Sequence, residues 1–177
     1  MTDALVIEDL KKRYGRRGPW VLKELSFRVP QGSICALVGA NGAGKTTLFS
    51  VLAGFLQAQE GSVSILGDGP FDPLLHKGRV SILPQDAALP LGTKVEAFLE
   101  YMAALQGLPK TSIAGEIQRV LSEVQLLDKR QEAIGSLSHG MRRRLSVAST
   151  FLGRPKLILL DEPSAGLDPE QVAYLRD

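Results

Sequence analysis

A chain of 177 residues, 44% of them hydrophobic and 23% charged, is long enough to bury a core without disulfide or metal staples. Its net charge of +2 gives no reason to expect a nucleic-acid partner, its single cysteine forms no internal bridge, and its apolar runs fall short of the roughly 20 residues that span a bilayer. The N-terminus lacks the charged-then-apolar pattern of a secretory signal, so a reducing, cytosolic compartment is expected.

In chain order, residues 5–7 and 25–29 read as strands, the second alternating cleanly, with a turn at Gly15, Gly18 and Pro19 between them. Residues 34–38 form an apolar run expected to be a third, buried strand containing Cys35. It feeds Gly39-Ala40-Asn41-Gly42-Ala43-Gly44-Lys45-Thr46-Thr47. A helix is expected from Gly44 to about Gly54, with Leu48, Phe49, Val51 and Leu52 as its apolar side. Residues 62–66 read as a short strand, Gly67-Asp68-Gly69-Pro70 as a turn, and residues 80–83 as a strand ending at Pro84-Gln85.

The middle of the chain is helical in pattern. Thr93 and Glu96 are spaced as a capping box, and Phe98, Met102 and Leu105 follow at helical spacing before Gly107 and Pro109. Ile113, Ile117, Val120, Leu121 and Val124 mark a second amphipathic helix. A third begins at Ser138 and ends at Gly153 and Pro155. Residues 157–160 are a wholly apolar strand of the kind buried on both faces of a parallel sheet, and Pro169 opens a last helix. The expected architecture is one α/β domain over residues 1–177, with an N-terminal antiparallel β layer, a mixed core sheet and a helical lobe inserted at about residues 86–152.

The segment 39–47 fits G-x-x-x-x-G-K-[ST], a phosphate-binding loop. Gly39, Asn41, Gly42, Ala43 and Gly44 let successive backbone N–H groups point inward, and the helix dipole behind them attracts anions. Lys45 is placed to reach β- and γ-phosphates, Thr46 to offer its hydroxyl to Mg²⁺, and Thr47 to meet the α-phosphate. The apolar strand 157–160 runs into Asp161-Glu162. Beside such a loop, Asp161 completes a Mg²⁺ shell and Glu162 orients and deprotonates the attacking water. Lys11, Lys12, Arg13, Arg16 and Arg17 surround Tyr14, a cluster that suits either a solvated turn or a place beside a nucleotide. Arg142, Arg143 and Arg144 read as a mostly solvated basic face.

Leu137-Ser138-His139-Gly140-Met141, the strand 157–160 with Asp161-Glu162, and Ser164-Ala165-Gly166-Leu167-Asp168 stand in the order of the signature motif, Walker B and D-loop of ATP-binding cassette (ABC) ATPases. The chain resembles that family over essentially its whole length. The resemblance implies a P-loop NTPase fold of ABC type, with ATP and Mg²⁺ as ligands. It implies that Tyr14 stacks on adenine, that Gln85 is a Q-loop ligand of Mg²⁺ and water, and that Ser138 and Gly140 address a γ-phosphate across a dimer interface. Two departures stand out. His139 replaces the first glycine of the signature and Met141 its glutamine, so polar contact beyond the phosphate is lost. Neither His76 nor His139 lies beyond Walker B, where the family has a switch histidine. The chain resembles a cassette shortened at its C-terminus, from which weak turnover is expected even where ATP binds.

The resemblance further implies a transporter ATPase, cytoplasmic and peripheral on the inner face of the membrane, partnered by a transmembrane permease and a second ATPase subunit. Residues 100–108 resemble exporters of the ABC-2 kind. A soluble, non-transport ABC protein acting on ribosomes or DNA is the alternative. It fits less well, because one cassette is present and no long heptad segment separates loop and signature. A phosphate-loop kinase or GTPase leaves residues 137–140 unexplained.

Overall fold

The computed structural model describes residues 2–163, and the chain divides into two compact units, Met1–His76 and Lys77–Asp177. In the first, β1 (Asp3–Arg13) lies between β2 (Trp20–Pro30) and β3 (Glu60–Ile65), antiparallel to both. Leu5 stands opposite Val29 on one side and Ile65 on the other, and Ile7 opposite Phe27 and Val63. Leu5 and Ile7 alternate inward, and past a register slip Leu10 and Lys12 are buried at the same spacing of two. The register slips between Ile7 and Leu10, where Asp9 takes a positive φ of 48°. Helix α1 (Lys45–Leu52) packs against β2 and buries Thr47, Leu48, Phe49, Val51 and Leu52, the apolar side expected of it.

Residues 34–38 differ from the expected buried strand. The chain from 33 to 40 has no regular secondary structure, Ile34 is 97% and Val38 90% exposed, and Cys35 is exposed as well. An apolar run becomes a strand only where neighbours accept its N–H and C=O groups, and among the described residues no strand pairs with this one.

In the second unit β4 (Val80–Leu83) and β5 (Leu157–Leu160) pair in parallel, Val80 with Leu157 through Leu83 with Leu160. The β5 side chains are half-buried rather than enclosed on both faces, since β4 is the strand that pairs with β5 among the described residues. The helices α2 (Val95–Gln106), α3 (Lys110–Glu123) and α4 (His139–Thr150) share one core, in which Leu99, Ala103, Ile117, Leu121, Leu145 and Leu152 are fully buried. That core uses Val95, Leu99 and Ala103 of α2, one residue round from the expected Phe98, Met102 and Leu105. Phe98 and Met102 lie at its margin and Leu105 is half exposed. The capping box is absent: Lys94 is the N-cap without a side-chain bond, and Glu96 is taken instead by Arg130 and Gln131. A charged pair tying α2 to the 127–132 turn has displaced a local cap. Ser138 does cap α4, its Oγ accepting from Met141 N at 3.2 Å. The helix expected at Pro169 and the segment 164–168 lie outside the described residues.

Candidate functional site

In the first unit the loop 39–44 is exposed and runs into the N-terminus of α1. Gly44, the N-cap, has φ 94° and makes no side-chain cap, so the first N–H groups of α1 are not consumed by a neighbouring side chain. A Cβ on Gly44 would stand 3.1 Å from Leu22 Cδ2 and 3.2 Å from both Val21 Cγ1 and Val21 O. Glycine is thus required twice, for the left-handed backbone and for close approach to β2. Gly42 also takes a positive φ, 82°, but in open space. The Lys45 ammonium donates to Gly39 O at 2.6 Å and Ala40 O at 3.0 Å, so the cation lies over the mouth of the loop. Thr46 is exposed and Thr47 buried.

Tyr14 is brought to this loop by the β1–β2 turn. Its hydroxyl stands 3.1 Å from Thr47 Oγ1 while the residue stays 55% exposed, so the ring is available for stacking. The basic residues around it are mostly engaged. Lys11 is paired with Glu24 at 2.9 Å and Glu60 at 3.1 Å, which hold its ammonium above the usual lysine range. Lys12 is buried and donates to Gln57 O, and the Arg13 guanidinium lies 4.4 Å over the Trp20 ring. Arg16 and Arg17 remain exposed at the turn.

In the second unit Gln85, Asp161 and Glu162 follow the ends of β4 and β5. Gln85 Nε2 donates to Glu162 Oε2 at 3.0 Å, and Asp161, buried, continues the ladder through Asp161 N to Leu83 O at 2.9 Å. Ser138 and His139 are exposed at the start of α4, His139 being a surface substitution, and Gly140 follows in the first turn. The Ser138 hydroxyl is occupied as the cap of its own helix, which leaves the helix N-terminus itself as the anion-attracting feature there.

The three arginines of α4 do not form a solvated face. Arg142 donates to Leu137 O at 2.6 Å and Arg144 to Val124 O at 2.8 Å. Arg143 is buried and donates to Gln85 O, Asp161 O, Glu162 O and Pro163 O. Burial draws its guanidinium below the usual arginine range, against the opposing pull of Asp161, Glu162 and Asp86. Spacing carried the signal for this: Arg143, Val147 and Thr150, at i, i+4 and i+7, lie on one buried stripe of α4. The run of three like charges masked it.

Thr46 hydroxyl, Asp161 carboxylate and the Gln85 amide oxygen are hard oxygen donors. Each is a donor of the kind Mg²⁺ takes, an ion that keeps several waters and few protein ligands, one or two of them carboxylates, beside substrate phosphates. No cluster of three or more His, Cys, Asp or Glu suited to a metal occurs among the described residues.

The ABC transporter family matches residues 22–165. The human cholesterol transporter ABCA5 is 36% identical over 173 residues, covering 94% of this chain and 10% of that protein. A Bacillus subtilis (strain 168) protein named as an uncharacterized ABC transporter ATP-binding protein, YxlF, is 38% identical over 165 residues, 93% of this chain and 54% of its own length. The chain therefore spans about a tenth of the first relative and about half of the second. A solved ATP binding subunit of an ABC transporter superposes with a TM-score of 0.84 at 28% identity, over 97% of this chain and 71% of that one. The cbiO1 protein of Clostridium perfringens, described as part of the ABC transporter complex cbiONQ, gives 0.84 at 27% identity over 99% and 71%. These likenesses bear out the expected α/β fold of ABC type.

Proposed function

The chain belongs to the ABC transporter family, and from that premise we propose that it binds Mg²⁺-ATP on the loop 39–47 and hydrolyses it to drive a substrate through a separate membrane permease. The observation that carries this reading is the loop itself. Gly44 is fixed in a left-handed turn against β2, ahead of an uncapped helix N-terminus, with the Lys45 ammonium 2.6 Å from Gly39 O at its mouth. An exposed glycine loop, an uncapped helix N-terminus and a cation held beside them favour a polyphosphate.

In this proposal Lys45 exchanges its two carbonyl contacts for β- and γ-phosphate oxygens, Gly39, Asn41, Gly42, Ala43 and Gly44 wrap the phosphates with N–H groups, and Thr47 meets the α-phosphate. Tyr14 stacks on the adenine. Thr46, Gln85 and Asp161 would hold Mg²⁺, whose charge would offset that of the β- and γ-phosphates. Glu162 orients and accepts a proton from the attacking water, and the 3.0 Å bond from Gln85 keeps its carboxylate oriented. Ser138 and Gly140 present the N-terminus of α4 to the γ-phosphate held by a second ATPase subunit, so that two subunits close over two nucleotides.

The permease partner is supported by the likeness to cbiO1, itself part of an ABC transporter complex. The helical subdomain, residues 86–152, is the proposed docking lobe. Its helix α2 keeps Tyr101 63% and Leu105 51% exposed on the side away from its buried residues, an apolar surface that a partner would cover. Residues 100–108 and the ABCA relatives support the ABC-2 exporter kind. No helix among the described residues is long and apolar enough to cross a membrane. The protein is accordingly proposed to sit at the inner face of the membrane through its permease.

Single-turnover hydrolysis of labelled ATP tests the reading. The wild-type chain is expected to cleave bound ATP, and Glu162→Gln to bind it equally while cleaving it roughly 100-fold to 10,000-fold more slowly and eluting as an ATP-dependent dimer. Equal cleavage by both proteins with no nucleotide-dependent dimer would remove Glu162 as the base.

A further inference from the structure

Beyond Leu83 and Leu160 the parallel ladder ends, apart from the bond of Asp161 N to Leu83 O. The segments that follow, 84–86 and 161–163, carry Gln85, Asp161 and Glu162. Their main-chain carbonyls converge on one side chain. Arg143 Nη2 donates to Asp161 O at 3.0 Å and Glu162 O at 2.5 Å, Nε to Pro163 O at 3.1 Å, and Nη1 to Gln85 O at 3.3 Å. A guanidinium offers five N–H donors in a rigid planar fork, so it can hold four acceptors in one arrangement where an ammonium holds fewer. Glu162 itself has φ 47°, a left-handed conformation that a non-glycine residue keeps only when its surroundings enforce it. The Arg143 bond to its carbonyl is such an enforcement.

We propose that Arg143 is a positioning residue for hydrolysis: by binding the carbonyls of Gln85, Asp161, Glu162 and Pro163 it fixes the Gln85 and Glu162 segments to each other and to helix α4. The inference rests on the reading of Gln85 and Glu162 given above. It implies that a displacement of α4 is carried directly to both segments, because the guanidinium sits within two turns of the helix N-terminus.

Arg143→Met and Arg143→Lys in the full chain test it, with three readouts. Amide hydrogen exchange at 85–87 and 161–162 is expected to quicken by about tenfold or more in Arg143→Met, and less in Arg143→Lys, while amides of α2 and α3 keep their wild-type protection. Mg²⁺-ATP affinity should stay within about threefold of wild type, and the single-turnover rate should fall by roughly 10- to 100-fold, partly rescued in Arg143→Lys. In a Glu162→Gln background, Arg143→Met should slow cleavage little further, because both changes act on the same step. Exchange unchanged at the two segments, or quickened throughout the helical lobe, would overturn the proposal, the latter showing a structural anchor. A parallel loss of affinity and rate would overturn it in favour of direct nucleotide contact. If the wild-type chain cleaves no ATP, the functional reading and the positioning role of Arg143 in hydrolysis both fall, and the exchange pattern alone decides whether the clamp exists.

Discussion

Gly42 and Gly44 offer a matched pair of perturbations in the phosphate loop, since both have positive φ, 82° and 94°, but differ in what a methyl group would meet. In Gly42→Ala the methyl enters open space. The left-handed backbone then costs about 1–2 kcal/mol, offset by about 0.4–1 kcal/mol from a less flexible unfolded chain, a net loss near 1 kcal/mol. In Gly44→Ala the methyl stands 3.1–3.2 Å from Leu22 Cδ2, Val21 Cγ1 and Val21 O. Val21 O belongs to the β2 backbone and cannot swing aside, so overpacking of about 1–3 kcal/mol is added. The total is about 2–4 kcal/mol. Urea denaturation followed by circular dichroism should therefore rank wild type, Gly42→Ala and Gly44→Ala in that order. At about 2–4 °C per kcal/mol for a chain of this size, Gly44→Ala should melt roughly 5–15 °C below wild type. Equal losses for the two variants would refute the argument that α1 is seated against β2 at this glycine.

Tyr14→Ala should weaken ATP binding by roughly 5- to 150-fold, the loss of about 1–3 kcal/mol of base stacking, and Tyr14→Phe should restore most of it, as read by nucleotide titration. Leu99→Ala, at a fully buried position in the helical lobe, should cost about 2–5 kcal/mol in denaturant titration. Glu116 is held below the usual carboxylate range by Arg119, whose guanidinium it accepts at 2.6 Å, and secondarily by Gly153 N–H at 3.1 Å, against the effect of burial. Because the folded-state value is depressed, the stabilisation is present above the unfolded-state value and is lost as pH falls through the folded one. Glu116→Gln should therefore lie about 1 kcal/mol below wild type at neutral pH, a figure kept small by solvent screening, and the gap should close in acid. A gap independent of pH would contradict that origin.

Elements whose own residues dictate them were legible in the sequence. Residues 80–83 and 157–160 were read as strands with the observed bounds, and a helix as beginning at Ser138, which caps α4, because apolar patterning and a capping hydroxyl act locally. Residues 34–38 have the composition of a strand, yet a strand exists through its partners, and composition is silent about which neighbours will pair. Thr93 and Glu96 have capping-box spacing, but Arg130 and Gln131, more than thirty positions away, claim the Glu96 carboxylate. Arg143 was misread for a related reason: inside Arg142-Arg143-Arg144 the sequence shows charge, and only the fold shows four carbonyls gathered around the middle one. Motif spacing singled out residues 39–47 as a candidate site and the family resemblance added Tyr14 and Gln85, whereas the 3.1 Å approach of Tyr14 to Thr47 and the 3.0 Å bond from Gln85 to Glu162 depend on tertiary placement.

The central claim is that the loop 39–47 is a nucleotide-triphosphate site with Lys45 as its cation, and calorimetric titration of Mg²⁺-ATP into the wild-type chain and Lys45→Ala tests it most directly. The account predicts saturable binding of one ATP per chain in the wild type. In Lys45→Ala it predicts affinity lower by about 10- to 150-fold, the equivalent of roughly 1.5–3 kcal/mol for a charge-assisted contact to phosphate. The melting temperature without nucleotide should change little, since the two carbonyls that Lys45 contacts are exposed and water replaces the ammonium there. Absence of binding by the wild type, or equal affinity in the two proteins, would contradict the account.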